Sequence, residues 1–227
     1  MDQIIHLVLE TPGAKSYDIL KKATKEDSPL PQFYLPELSS TSKSNKNTWS
    51  LRNNCSDGSI FLNNPLQSAE VFMLLTHQIS LAEQLEAFVR FQQSKDQILI
   101  GRFLLFIHSP ILLKEIDSFY DWTDGVVHFT DAILFTGRNN ENASAIKILQ
   151  QRYSSMRYPL ENFILSKKNN PWSRILDPTP RRLSHIFDGI ELLEPEDYPE
   201  NDRYLKKLPT GERERPIPLI FKNSVFN

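Results

Sequence analysis

Apolar positions along the chain fall into short unbroken runs separated by stretches with helical spacing. Residues 3–9 form the first run, and residues 71–75, 102–108, 132–135 and 162–165 follow it. None alternates apolar with polar, as expected of strands covered on both faces. Between the runs, residues 14–24 present Tyr17, Leu20 and Ala23 on one side, and Leu81, Leu85, Phe88 and Val89 recur at helical spacing. Ser80 and Glu83 have capping-box spacing at the start of that second helix. Ser109-Pro110 predicts a further helix start, with Leu112, Leu113, Ile116 and Phe119-Tyr120 as its apolar side and Val126 to Phe129 as a brief separate segment. Asn142 is the expected cap of a helix facing Ile146, Leu149 and Tyr153 inward. Strands separated by single helices need crossover connections, which predicts an α/β fold: a mainly parallel sheet with helices on both faces.

Two regions depart from this rhythm. Residues 25–66 are rich in Ser, Asn, Lys and Pro, with short strands expected at Gln32–Leu35, Thr48–Leu51 and Ser59–Leu62 and a polar mobile loop at residues 39–48. They read as an insertion or a peripheral hairpin layer. Beyond Lys167 regularity fades: residues 171–180 are loop-like, and Arg181 to Phe187 could make one or two helical turns. Residues 190–216 are acidic and proline-rich, which resists helix interiors and central strands alike. The expected organisation is an α/β domain over residues 1–166, carrying the 25–66 region, and an irregular arm over 167–227 packed on it.

Composition narrows the partners. The 227 residues carry a net charge of −2 and a pI of about 6.2, so no global basic field exists for nucleic acid or an acidic membrane. No apolar run approaches the roughly 20 residues that span a bilayer. Asp2 and Glu10 interrupt any signal-like amino terminus, and the single cysteine, Cys55, cannot form an internal disulfide. A cytoplasmic location is expected. Fifteen prolines against seven glycines leave little material for a glycine-rich cradle.

The first apolar run leads into Glu10-Thr11-Pro12-Gly13-Ala14-Lys15-Ser16, which has the strand–turn–Lys-Ser–helix layout of a phosphate-binding loop. A second stretch, Thr130-Asp131-Ala132-Ile133-Leu134-Phe135-Thr136-Gly137-Arg138-Asn139, stands where a base-recognition motif would follow its strand. A third covers residues 143–166, with Tyr158-Pro159 in place of an Asn-Pro turn. In this order the three resemble the P-loop GTPases, nearest to the CobW-like metallochaperone branch. The resemblance implies a P-loop NTPase-like fold for residues 1–166. It also implies a nucleoside triphosphate with Mg as ligand, phosphate contacts from Gly13, Ala14, Lys15 and Ser16, and base-side contacts from Thr136 and Arg138.

The departures from that pattern point one way. Glu10 replaces the first glycine, and the glycine before the lysine is missing. The last position of Thr136-Gly137-Arg138-Asn139 holds no carboxylate to read guanine, and the 71–75 run ends in Thr76-His77 without an Asp for magnesium. Cys55 is all that remains of the branch's Cys-x-Cys-Cys motif, and zinc needs several ligands. Their joint loss implies a degenerate NTPase without efficient hydrolysis and with at most weak nucleotide binding. One alternative is an interaction module using residues 177–227 to bind a protein partner. Another is a metal-handling protein using His77, His108 or Cys55.

Remaining candidates have plain structural readings beside functional ones. His77, His108, His128 and Asp131 lie near element ends, where they could converge on a ligand or simply be hydrogen-bonded. Cys55 lacks a recognisable base beside it. Arg181-Arg182 with His185 and Asp188 could hold a phosphate, or pair with the acidic stretch 194–202. Trp49, Trp122 and Trp172 read as packing residues.

Overall fold

The computed structural model describes residues 3–26, 29–37, 46–52, 59–95, 97–166 and 170–222. Cys55 and most of the polar 39–48 stretch lie outside the described residues. Eight strands form one sheet: β1 (Gln3–Glu10), β2 (Gln32–Pro36), β3 (Asn47–Arg52), β4 (Ser59–Leu62), β5 (Glu70–Leu74), β6 (Ile98–His108), β7 (Ala132–Thr136) and β8 (Glu161–Ile164). Their order is β4-β3-β2-β5-β1-β6-β7-β8, and every pairing is parallel except β3 with β4. Helices α1 (Ser16–Ala23), α2 (Leu81–Gln93), α3 (Phe119–Phe129) and α4 (Ala143–Ser155) supply the crossovers, and α5 (Trp172–Ile175) is a single turn. The chain therefore has the expected α/β architecture, a mainly parallel sheet with helices on both faces.

The sheet separates two apolar layers. Leu20 of α1 and Ile175 of α5 cover Val8, Phe72, Leu74, Leu104, Phe106 and Leu134 on one face. On the other face α2, α3 and α4 pack against Ile5, Leu7, Leu9, Met73, Phe103, Leu105 and Ile133, joined by Tyr204, Leu205, Ile217 and Phe221 from the carboxyl-terminal arm. No helix among the described residues is long and apolar enough to cross a membrane.

Several local expectations change. The 25–66 region is no separate layer: its three strands extend the main sheet, and only β3–β4 is a hairpin. Ser80 makes no side-chain cap for α2. Gln84 satisfies that corner instead, accepting the Thr76 N–H at 3.0 Å and donating to the Thr76 carbonyl at 2.7 Å. The helix expected at Ser109 is a short 3-10 turn, Ser109–Leu113, which leaves Leu113 exposed. The α-helix begins only after Ser118, which takes a left-handed conformation at φ 58°, and it absorbs Val126 to Phe129 as its last turn. Residues 181–187 form no helix.

Candidate functional site

Strand alternation decides which side chains meet at the carboxyl edge. Val8, Leu104, Phe106, Ala132 and Leu134 all belong to the layer under α1. Glu10, His108 and Thr136 share their parity and so end their strands on that same face, where α/β sheets hold ligands. The register pairs Glu10 with Phe106 and His108 with Thr136.

The loop after β1 is tightly tied to the sheet. The Thr11 N–H donates to the Phe106 carbonyl at 2.8 Å, and the Thr11 hydroxyl oxygen accepts the His108 N–H at 2.8 Å. Ala14 closes the turn with an N–H to the Thr11 carbonyl at 3.1 Å. Gly13 has φ 87°, and Lys15, the residue before α1, has φ 59°. A left-handed lysine costs about 1 kcal/mol, so the loop is held there by its surroundings.

The buried Glu10 carboxylate accepts the Ser16 N–H at 2.6 Å, the first amide of α1. A carboxylate thus stands where a helix amino terminus takes an anion, stabilised by the unpaired N–H and the helix dipole. Burial pushes the Glu10 carboxyl above its ordinary value, with Asp18 adding to the rise and the Ser16 N–H and neighbouring hydroxyl opposing it. The Glu10 carbonyl is also engaged: His77 Nε2 donates to it at 2.6 Å, which places the imidazole proton on that nitrogen. His77 is wedged against Trp122 and Phe221, and its burial lowers its pKa.

His108 occupies the other side of the loop. A Cβ on Gly13 would lie 2.9 Å from its Cδ2, and a Cβ on Gly137 would lie 2.9 Å from its Cε1. The imidazole is therefore held between two glycines with positive φ, one from each loop. Burial first, then the Lys114 and Lys15 ammonium groups, lower the His108 pKa. Among the described residues its Nδ1 is buried without a partner, as are the hydroxyls of Ser109 and Thr136.

The expected phosphate ligands are brought together, but not as an open cradle. Gly13 and Lys15 are exposed, Ala14 is buried beneath α1, and Ser16 is fully buried beside the Glu10 carboxylate. Thr136 is buried, and Arg138 is exposed and makes no ion pair among the described residues. The turn after Arg138 consumes its own amides: Asn142 accepts the Asn139 N–H at 2.9 Å and donates to the Gly137 carbonyl at 3.0 Å. Asn142 thus precedes α4 as expected, while its side chain ties the incoming loop and caps nothing.

The other described candidates make contacts within the fold. His77 and His108 lie on different sides of the loop, and no group of three His, Cys, Asp or Glu residues among the described residues could hold a metal. Asp131 accepts the Phe103 N–H at 2.7 Å and the Arg182 guanidinium at 2.9 Å, fixing the arm to the amino edge of the sheet. Arg181 lies 3.4 Å from Glu161, so neither arginine pairs with the 194–202 stretch as expected. From that stretch Asp202 instead accepts from His128 Nε2 at 2.8 Å and from Ser184 at 2.6 Å. Trp49 donates its indole N–H to the Leu74 carbonyl at 2.8 Å, and Trp122 packs on Phe221, while Trp172 borders the α1 layer. Sequence reasoning identified the loop and missed the partners of Glu10 and His108. The one available signal was an acidic residue in a glycine position six residues before the helix start.

No family model matches the sequence, and no curated protein matches it. Among solved structures, the chain is similar to the Zn(II)-bound YjiA GTPase from E. coli. The TM-score is 0.51 at 10% identity, over 80% of this chain and 67% of that one. At that identity the likeness is one of fold: the chain has a P-loop GTPase-like fold.

Proposed function

We propose that this chain is a P-loop-type scaffold whose own Glu10 carboxylate has taken the nucleotide's seat. It has no efficient nucleoside-triphosphate hydrolysis and at most weak nucleotide binding. The observation that carries this reading is the 2.6 Å contact from Glu10 Oε2 to the Ser16 N–H. A phosphate approaching the same amide meets a carboxylate oxygen already seated on it, and an ionised carboxylate 4 Å from a phosphate would repel it by about 4 kcal/mol at the effective dielectric near a protein surface. The His108 ring against Gly13 narrows the loop further, and Thr76-His77 supplies no carboxylate for magnesium.

Thermal unfolding with millimolar Mg-ATP or Mg-GTP tests the reading. The wild-type melting temperature is expected to stay unchanged, with no phosphate release. Glu10→Gly is expected to gain a nucleotide-dependent rise that Lys15→Ala removes, and Glu10→Gln, which keeps the cap without the charge, serves as the folded control. A wild-type rise with either nucleotide, abolished by Lys15→Ala, overturns it. Among the described residues of the 177–227 arm, Leu192, Leu208 and Leu219 are the exposed large hydrophobics, whereas Ile186, Phe187, Tyr204, Leu205, Ile217 and Phe221 are buried in the core.

A further inference from the structure

The strand at one end of the sheet leaves its outer edge unpaired. β4 is the last in the strand order, and among the described residues it is bonded to β3 alone. The hydrogen-bond phase decides which of its groups are left over. Asn63 donates its N–H to the Thr48 carbonyl at 3.0 Å, so by alternation Phe61 and Ser59 also bond to β3. The N–H and C=O groups of Ile60 and Leu62 therefore point away from the sheet. Natural edge strands are blunted by a charge, a proline or a bulge. Ser59-Ile60-Phe61-Leu62 has none of these, and its register with β3 runs unbroken.

A groove of about 760 Å³ runs along that edge. Residues 59–66 all line it, although strand side chains alternate between faces, so the backbone edge itself borders the space. The opposite wall is one side of α2 and its end: Ala87, Arg90, Phe91, Ser94 and Lys95, at helical spacing. Ile60, Leu62 and Leu66 are half-buried against the core and give the groove an apolar base. Arg90 and exposed Lys95 make its far wall cationic, and no acidic residue lines it among the described residues. On the other face of the strand the Arg52 guanidinium lies 3.3 Å over the Phe61 ring and covers it. The groove is thus the side on which β4 still offers apolar surface and main-chain bonds.

We infer that this groove docks an extended peptide segment of a partner protein, added to the sheet as a further strand beside β4. Main-chain bonds to Ile60 and Leu62 hold the peptide in register. Every second side chain of it faces the groove, apolar against Leu66 and Phe91 and acidic where it reaches Arg90 and Lys95. A fatty acid would meet the apolar base and the cations but leave the edge groups of Ile60 and Leu62 unused. The inference does not involve the β1–α1 loop, and it stands whether or not Glu10 excludes nucleotide.

Fluorescence anisotropy of a short labelled peptide titrated with the full chain tests it. The peptide carries threonine at even positions, and valine and glutamate in turn at odd ones. Saturable binding is expected, with a lysine-for-glutamate peptide roughly tenfold weaker, the loss of one charge-assisted contact. Lys95→Glu, at an exposed position, is expected to narrow or reverse that preference. In amide exchange the peptide is expected to slow the Ile60 and Leu62 N–H groups, while that of Phe61, already bonded to β3, stays as it was. Absence of saturable binding, equal binding of both peptides, or binding without protection at Ile60 and Leu62 overturns the inference. Saturable decanoate binding without peptide binding assigns the groove to a lipid and overturns it too. Dimerisation of the chain alone that protects the same two amides gives the edge to a second copy, with the same consequence.

Discussion

At the scale of single residues, the glycines that bracket His108 carry more of the site than its charged groups. Gly13 has φ 87° and Gly137 φ 65°, and a Cβ at either would approach the imidazole to 2.9 Å. Gly13→Ala is therefore strained twice, by the left-handed backbone and by the ring. The expected cost is about 1–3 kcal/mol in urea unfolding. In a double-mutant cycle with His108→Ala the contact component is expected to vanish and the backbone component, about 1 kcal/mol, to remain. Full additivity of the two substitutions would show that ring and glycine do not touch. None of this was legible in the sequence. The chain's scarcity of glycine suggested a poor cradle, yet the glycines present serve a side chain that lies 95 residues from one of them and 29 from the other. Glu10 was legible only as a missing glycine, because its partner is a backbone amide that no sequence pattern marks.

At the scale of elements, local patterns succeeded where period and burial agree and failed where a backbone irregularity intervenes. β1, β5, β6 and β7 stand out because both of their faces are covered, leaving continuous apolar runs. The 109–120 stretch misleads because its apolar residues suit one helix, whereas left-handed Ser118 divides a 3-10 turn from α3. The arm was legible as irregular, but not its anchor. Asp131 and Arg182 are almost wholly buried and joined at 2.9 Å, and Asp131 also accepts the N–H groups of Phe103 and Arg181. Removing one member of such a pair leaves an uncompensated buried charge, which costs about 3–5 kcal/mol. Asp131→Ala is expected to lower the urea midpoint accordingly and to speed proteolysis within residues 177–202. Asp131→Asn, which keeps an acceptor, is expected to lose less. Equal cleavage of wild type and Asp131→Ala would mean that the arm is held without this pair.

At the scale of the whole molecule, acid should act on the arm and on the loop with opposite signs. Asp202 joins the arm to α3 through His128. Its burial alone would raise its pKa, but the His128 hydrogen bond and charge, with Ser184 and the Tyr204 N–H, bring it below the ordinary 3.8. A carboxylate with a depressed folded pKa contributes stability that is complete above 3.8 and is lost as pH falls through the lower folded value. Glu10 is the reverse: its folded pKa lies above 4.5, so its ionised form opposes folding at higher pH, and protonation relieves that cost between 4.5 and the folded value. Unfolding free energies across this range should therefore separate the two. Asp202→Asn is expected to be less stable than wild type by about 1–3 kcal/mol at neutral pH, with the gap closing below 3.8. Glu10→Gln, which retains an oxygen for the Ser16 N–H, is expected to equal or exceed wild type at neutral pH and to converge with it as Glu10 protonates. If Glu10→Gln is instead destabilising at neutral pH and neutral in acid, the carboxylate charge is itself holding the helix terminus.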